Sequence, residues 1–394
     1  MENICLYFNL HQPNRLKPYT FFDIGTDHFY ENDGLNKSFL DKISEICYLP
    51  MNAIMMDHIR KHGEKFKVSL SLSGTLIEQM ENHRPDVLQT FIELSKTGQV
   101  EFIGQTFYHS LSYIYSPSEF ERQVKKHMAK VEEHFGKTPR VFRNTGMIYS
   151  NDLAARLEKL GYKGVMAEGL DIFLKGRSYN YLYRAPNVKK IKTLLKNYKL
   201  SADITHHYND RNWSEYPLTP EKLANWASRE YGDFVNIFMP YETFGQHIDV
   251  STGIFEFIKQ LPSAFINKGF RFKTATELVD EMEVKDIYDI HVPVSWRDSE
   301  KDLSAWMRNT MQQEALQKLY SLEDVVINSK DPDLIHVWSK LQTSDHFYYM
   351  STKAFEDGAT RDYLSPYSSP YDGYIYFMNA LSDLEISCKE RLKY

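Results

Sequence analysis

Short apolar runs alternate with helix-forming segments through the first two-thirds of this 394-residue chain. Runs of this length are typical of buried strands, and seven are expected: Ile4–Leu10, Phe66–Leu72, Val100–Ile103, Arg140–Arg143, Gly164–Ala167, Lys199–Ile204 and Phe234–Met239. Helix signals lie between several of them, such as the capping box Ser116–Glu119, which predicts a helix that ends at Gly136. The alternation predicts a parallel sheet covered by helices. Seven units fit either an open doubly wound sheet or a barrel one unit short of eight.

The chain changes character after about residue 300. The segments Asp302–Ser329, Asp331–Ser351 and Tyr371–Leu392 are long, amphipathic and without strand patterns. Asp331-Pro332 and Ser369-Pro370 separate them, as expected for breaks between helices. A C-terminal helical region is therefore predicted.

Composition excludes several classes of partner and location. A hydrophobic share of 42% and a charged share of 25% are those of an ordinary globular protein, and a net charge of −6 gives no electrostatic reason to expect nucleic acid. No window approaches the ~20 apolar residues of a membrane helix. The three cysteines, Cys5, Cys47 and Cys388, have no metal-type spacing and fit a reducing compartment. We expect a full-length cytoplasmic protein with no membrane partner, no cofactor and no metal.

The last apolar run leads into the densest polar and aromatic cluster of the chain. The run ends at Pro240, which cannot donate a ladder hydrogen bond and so marks the end of a strand. The residues from Tyr241 to His247 follow at once. Because α/β barrels build active sites at the carboxyl ends of their strands, this cluster is a candidate site.

The segment Met239–His247 resembles a motif of the α-amylases of glycoside hydrolase family 57, Met-Asp-Tyr-Glu-Thr-Phe-Gly-Glu-His. Phe142–Gly146 is similar to the family's Phe-Arg-Asn-Thr-Glu. Other similar segments follow in family order: Phe8–Pro13, Gly98–Glu101, Tyr108–Ser110, Gly164–Asp171, Ser295–Asp298, Asp302–Trp306 and Gln342–Met350. The resemblance implies an incomplete seven-unit (β/α) barrel over residues 1–290. It also implies that the helical region, residues 291–394, packs on the barrel mouth.

Both catalytic carboxylates of that family are replaced in this sequence. The resemblance puts the family nucleophile at Gly146 and the family acid/base at Pro240. Retaining glycoside hydrolysis uses two carboxyl groups about 5–5.5 Å apart, and neither residue has an ionisable side chain. We therefore expect no retaining hydrolysis of α-glucans, and no catalytic residue is intact at these two positions.

The surrounding residues nevertheless resemble a pocket for an α-glucan or an oligosaccharide. The resemblance implies hydrogen-bonding and stacking side chains for weak binding: His11, Glu101, His109, Glu168, Tyr241, Glu242, Phe244, His247, Trp296 and Asp298. Several have a structural interpretation as well. His11 can satisfy neighbouring backbone at a strand end, Trp296 and Trp306 can be packing residues, and Asp298 can cap a helix.

Three functions stay open at this point. The chain is an α-amylase-like protein that binds carbohydrate without hydrolysing it, an enzyme that uses relocated groups, or a structural subunit with a vestigial pocket. Relocated groups would be Glu242 and Glu168, or a metal held by some of His11, Glu101, Asp203, His206 and His247. His206 and His207 are adjacent, so on a strand at most one of them would face such a metal. The oligomeric state is open.

Overall fold

Most of the apolar runs become strands, because their side chains are buried on both faces of a sheet. The computed structural model describes residues 2–297, 299–353 and 365–391. Its strands are β1 (Asn3–Leu10), β2 (Val68–Leu72), β3 (Val100–Phe102), β4 (Val141–Arg143), β5 (Gly164–Glu168), β6 (Leu182–Arg184), β7 (Lys192–Lys196), β8 (Phe234–Pro240), β9 (Arg271–Phe272) and β10 (Val284–Ile287).

Seven parallel strands form the predicted incomplete barrel. One sheet has the order β3-β2-β1-β8, and the other contributes β7-β5-β4. Gly104 joins β3 to β4, because its N–H donates to Val141 O at 2.9 Å and its carbonyl accepts from Arg143 N at 2.8 Å. Between β7 and β8, Asn197 N donates to Asn236 O at 2.9 Å. Beyond the barrel, β6 pairs antiparallel with β7 and parallel with β10, and β9 pairs with the start of β1.

The sixth barrel strand is not the one predicted. Residues 199–204 were expected to be a strand, but Tyr198–Ala202 is an α-helix that continues into a π-helical turn, Asp203–His207. The strand is the preceding segment β7. Asn197 explains the error, because its side chain accepts a hydrogen bond from Leu200 N and so caps a helix directly after β7.

Eighteen α-helices in the described ranges cover and extend the barrel. They are α1 (Asp33–Ile43), α2 (Leu49–His62), α3 (Gly74–His83), α4 (Pro85–Lys96), α5 (Ser112–Tyr115), α6 (Pro117–Phe135), α7 (Asn151–Lys159), α8 (Asp171–Leu174), α9 (Tyr198–Ala202), α10 (Pro220–Arg229), α11 (Ile254–Asn267), α12 (Ala275–Glu281), α13 (Ser304–Met307), α14 (Thr310–Ser321), α15 (Glu323–Ser329), α16 (Pro332–Leu341), α17 (Ser344–Tyr349) and α18 (Pro370–Arg391). Ser116 caps α6 as predicted, because its side chain accepts from Glu119 N, but the box is incomplete: the Glu119 carboxylate accepts from Arg122 and Gln123 instead. No helix in these ranges has the length and hydropathy needed to cross a bilayer.

The helices from α13 onward form the predicted C-terminal helical region, and some of them contact the carboxyl ends of the barrel strands. Ser344 N at the start of α17 donates to His109 O at 3.1 Å, and Thr343 forms an antiparallel bridge with Ser110. The domain boundary between residues 290 and 291 stays a prediction. Residues on both sides of this boundary contact the barrel segment that includes Tyr149 and Asn151: Ile290 N donates to Asn151 Oδ1, and Val294 forms a bridge with Tyr149.

Candidate functional site

A cavity of about 220 Å³ opens at the carboxyl ends of the barrel strands, and we call it the mouth cavity. It contains Gly146 and Pro240, the two positions to which the motif resemblance assigns catalytic carboxylates. Five other predicted site residues line it: His11, His109, Glu242, His247 and Trp296. The remaining lining residues are Asn9, Gln12, Pro13, Arg15, Phe39, Lys42, Ile43, Arg143, Gln246, Arg297, Trp306, Ser344, Asp345, Tyr348 and Tyr349. Strand ends of the barrel and residues of the helical region therefore share one concave surface.

Gly146 lies in a tight turn that directly follows β4. Its backbone is left-handed, with φ +56° and ψ 21°, a conformation that glycine adopts without strain. A Cβ atom added there would lie 2.3 Å from Cη2 of Trp306 and 2.9 Å from its Cζ2. The indole ring, which is only 4% exposed, therefore fills the space in which a side chain at position 146 would begin.

Pro240 is the last residue of β8 and lies in register with Asn9 of β1. The chain then enters a 3₁₀ turn, Tyr241–Thr243. This turn buries the side chains that follow, so Pro240 presents a neutral ring to the mouth cavity.

His11, His109 and Asp345 form a connected group across the mouth cavity. His11 Nε2 lies 2.9 Å from Asp345 Oδ2, and its Nδ1 lies 2.8 Å from Ser73 Oγ. The two imidazole rings stack with centroids 4.1 Å apart. Burial alone would raise the pKa of Asp345, but the charge of His11 and its hydrogen bond hold that pKa well below its usual range. Burial, followed by the neighbouring His11, holds the pKa of His109 well below its usual range. The carboxylate is therefore ionised and His109 is neutral at neutral pH.

Glu242 is the second carboxyl group of the mouth cavity among the described residues. Tyr48 Oη donates a hydrogen bond of 2.7 Å to Glu242 Oε1. Burial raises the pKa of Glu242 to about 7. Near neutral pH this group exists in both its neutral and its charged form.

We expect Glu242→Gln to stabilise the protein more at pH 8 than at pH 5. The folded-state pKa of about 7 exceeds the ordinary Glu value of about 4.3, so the folded state binds more protons between these two values. The free energy of unfolding of the wild type then falls as pH rises through this window. At about 1.4 kcal/mol per pKa unit, the advantage of the variant should grow by roughly 2–3 kcal/mol.

Denaturant unfolding at several pH values measures this difference. Glu93→Gln, on the exposed surface of α4, is the matched control. The prediction would be contradicted if the free energies of unfolding of the wild type and Glu242→Gln differed by the same amount at every pH from 5 to 8.

Two cationic side chains contact the Trp296 ring. The Arg143 guanidinium carbon lies 5.5 Å from the ring centroid, and Lys196 Nζ lies 4.9 Å from it. Lys196 Nζ is in turn 3.6 Å from Glu168 Oε2. Glu168 is buried and does not line the mouth cavity, so the structure corrects its predicted role: it balances the charge of Lys196.

Glu101 is also corrected, because it lies away from the mouth cavity. Its carboxylate accepts hydrogen bonds from Thr276 N at 3.2 Å and from Ser69 Oγ at 2.8 Å. Thr276 is in the first turn of α12, and the preceding strand β9 pairs with Asn3 at the amino end of β1. A carboxylate at a helix N-terminus is a stabilising arrangement, and it explains Glu101 without a ligand.

Tyr241 and Phe244 were predicted as stacking surfaces, and both belong to the core instead. Tyr241 packs edge-on against Phe8 with ring centroids 5.2 Å apart, and its hydroxyl donates to Asn52 Oδ1 at 2.8 Å. Phe244 packs on the same Phe8 ring at 5.9 Å. Asp298 lies outside the described residues.

The residues of the metal alternative do not form one cluster. Glu101 lies at the other end of the barrel, His206 Nδ1 is 2.6 Å from Thr205 Oγ1, and His11 is bound to Asp345. In the described part of the chain, the ligand-type atoms that lie close together are those of Glu81, Glu133 and His134. These residues lie near the C-terminal ends of α3 and α6 and do not line the mouth cavity. Lys130 Nζ already donates to Glu81 Oε1 at 2.7 Å.

Sequence reasoning missed the cationic lining residues, above all Arg143, and did not include Asp345 in the site. Arg143 was visible in the segment that resembles the nucleophile motif. Asp345 was visible in the segment Gln342–Met350. The hydrogen bond between His11 and Asp345 could not be predicted from sequence patterns, because the two residues are 334 positions apart in the chain.

Comparisons with known proteins agree with this architecture. The sequence profile described as "Glycosyl hydrolase family 57" matches residues 5–293. A Methanocaldococcus jannaschii protein named "Putative alpha-amylase" is 36% identical over 402 residues, which cover 99% of this chain and 85% of that protein.

Two solved structures have the same fold at low identity. A GH57-type branching enzyme from Pyrococcus horikoshii matches with a TM-score of 0.69 at 15% identity, over 92% of this chain and 87% of that one. The 4-alpha-glucanotransferase from Thermococcus litoralis matches with a TM-score of 0.65 at 15% identity, over 88% of this chain. The chain spans 56% of the length of the glucanotransferase.

Proposed function

This chain belongs to glycosyl hydrolase family 57, and we propose that it is an α-amylase-like protein that binds an oligosaccharide in the mouth cavity without hydrolysing it. The observation that carries the proposal is the pair of family catalytic positions, Gly146 and Pro240, which both line this cavity. Neither can act as nucleophile, acid or base. General acid–base catalysis alone is typically worth 10²–10⁴-fold in rate.

The remaining lining residues support binding of a polyhydroxylated ligand. His11 and Asp345 bring hydrogen-bonding atoms to one side of the mouth cavity, and Gln246 and Asn9 bring amide groups. Trp296 is half-buried and offers part of its ring, a surface of the kind on which sugar faces stack. Loss of the catalytic carboxylates need not remove binding, because those groups act mainly on the transition state.

Isothermal titration calorimetry against maltose, maltotriose and maltoheptaose tests the proposal. We expect a dissociation constant between roughly micromolar and millimolar, about −8 to −4 kcal/mol. Trp296→Ala should weaken binding about 10-fold or more. Trp226→Ala, a partly buried tryptophan in α10, is the matched control and should not. Binding of none of these glucans or of other oligosaccharides by the wild type would favour a vestigial pocket.

The raised pKa of Glu242 favours one second candidate, an enzyme that uses this carboxyl group as a general acid. A pKa of about 7 suits proton donation at neutral pH. Such an enzyme would require a second group to activate water or to attack the sugar. Turnover that Glu242→Gln abolishes would support it.

A cytoplasmic location is part of the same proposal. It is supported by the three cysteines, Cys5, Cys47 and Cys388, all of which are free thiols in buried positions. Proteins of oxidising compartments tend to pair their cysteines.

A further inference from the structure

We propose that the mouth cavity selects an anionic sugar, one that carries a phosphate or a carboxylate group, and that Arg143 binds this anionic group. The inference rests on the proposed function and narrows its ligand class. The described residues leave positive charge unbalanced at the barrel mouth.

Arg143 is a buried cation without a carboxylate partner among the described residues. The residue is 2% exposed and lines the mouth cavity. Among the described residues, no acceptor forms a hydrogen bond with its Nε or Nη1. Burial raises the pKa of the neighbouring Tyr7 phenol, which is therefore neutral, and the guanidinium of Arg297 repels Arg143. Arginine stays protonated in proteins, and a buried charge without a partner is strongly destabilising. An anionic ligand would supply the missing partner.

The two positions to which the motif resemblance assigns carboxylates are neutral. Gly146 follows Arg143 by three residues in the same segment, and the uncharged indole of Trp306 fills its side-chain space. Pro240 is the other such position. Compared with the family motifs, these two positions bring no negative charge to the mouth cavity, whereas the arginine of the motif is present as Arg143.

The two carboxyl groups that remain in the described lining are held by other partners. Asp345 pairs with His11 at 2.9 Å, and Glu242 accepts from Tyr48 at 2.7 Å. Neither forms a hydrogen bond or ion pair with Arg143.

Cationic side chains outnumber those carboxyl groups in the described lining. Arg15, Lys42, Arg143 and Arg297 all line the mouth cavity. Arg15 donates to neutral acceptors, Gln12 Oε1 at 3.1 Å and Pro13 O at 3.4 Å, and the Arg297 guanidinium lies 4.2 Å from the Tyr348 ring centroid. A cleft with an excess of one sign of charge attracts ligands of the opposite sign, and the planar guanidinium matches carboxylate and phosphate in two parallel hydrogen bonds.

Calorimetry with four probes tests the inference without any variant. The probes are glucose, glucose 1-phosphate, glucuronate and inorganic phosphate, each titrated into the full chain at two salt concentrations. We expect glucose 1-phosphate or glucuronate to bind at least about 10-fold more tightly than glucose, because hydrogen bonds to charged groups are the stronger class. The two anionic sugars distinguish a phosphate ligand from a carboxylate ligand. Inorganic phosphate should bind more weakly than glucose 1-phosphate.

Variants then locate the preference. Arg143→Gln should remove the preference for the anionic sugar, and Arg143→Lys should keep part of it. Arg140→Gln is the matched control, because Arg140 lies partly exposed just before β4 and pairs with Asp280 at 2.8 Å, and it does not line the mouth cavity. Thermal unfolding of each variant establishes that it is folded, and Arg143→Lys provides the comparison if Arg143→Gln does not fold.

The outcomes separate this inference from the proposed function. Maltooligosaccharide binding with equal affinity for glucose and its anionic forms would leave the proposed function standing and overturn the inference. A folded Arg143→Gln that keeps the preference would overturn the role of Arg143. Inorganic phosphate bound as tightly as glucose 1-phosphate would overturn the selection of a sugar. Binding of no neutral glucan and no anionic sugar would overturn both proposals.

Discussion

Incubated at high concentration with end-labelled maltoheptaose, the protein is expected to release no shorter maltooligosaccharide above a buffer blank. Retaining hydrolysis requires a nucleophile and an acid/base. The motif resemblance assigns these roles to Gly146 and Pro240, which both line the mouth cavity without an ionisable group. Loss of a catalytic nucleophile has reduced turnover about 10⁶-fold in a well-studied hydrolase, with only residual effects remaining. Starch and glycogen should likewise stay intact.

Chromatography of samples taken at intervals over a day measures the release of shorter labelled maltooligosaccharides. The control is protein that has been repurified over a second column, because a trace of contaminating amylase would not follow the protein peak. Turnover that stays with the protein through repurification, and that Glu242→Gln removes, would favour the enzyme with relocated groups over the binding protein.

The second large effect concerns stability at the former nucleophile position. We expect Gly146→Ala to lower the free energy of unfolding by about 2–5 kcal/mol, of which about 1–2 kcal/mol is the cost of a left-handed backbone for a residue with a Cβ. The rest, about 1–3 kcal/mol, is overpacking against the Trp306 ring, whose Cη2 lies 2.3 Å from the new atom. Gly146→Glu should cost at least as much. Combined with Pro240→Asp, it should not restore hydrolysis while Trp306 keeps its place.

Gly136→Ala separates the two contributions. Gly136 has φ +61° and ψ 25°, close to the values at Gly146, yet nothing lies within 4 Å of a Cβ built on it. The difference between the two alanine variants in denaturant unfolding therefore measures the contact with Trp306. In a Trp306→Phe background, which removes the distal indole atoms, this difference should shrink. Equal costs at the two glycines would refute the steric argument.

The barrel was predictable from sequence because its signals are local. Six of the seven predicted strands form, since a buried parallel strand needs a short apolar run and helices need caps such as Ser116. The seventh prediction was wrong for a local reason as well. The run Lys199–Ile204 is apolar enough for a strand, but capping by Asn197 and burial of its apolar face on β8 favoured the helix α9.

The candidate site was predictable where it depends on strand ends and not where it depends on side-chain direction. His11, Gly146 and Pro240 lie together because parallel strands end at one edge. Glu101 is in the middle of β3, and only the barrel geometry decides that it reaches α12 instead. Tyr241 and Phe244 are core residues because of the 3₁₀ turn after Pro240.

The position of Trp306 over Gly146 also bears on how this chain can evolve. A mutation that placed a glutamate at position 146 would clash with the Trp306 ring. Its first effect under selection would be a loss of stability. An accommodating change at Trp306 would have to come earlier, and it would bring no catalytic benefit until Pro240 had changed too. A form of this chain with carboxylates at both positions therefore needs at least three substitutions, at Trp306, Gly146 and Pro240, of which none is rewarded alone.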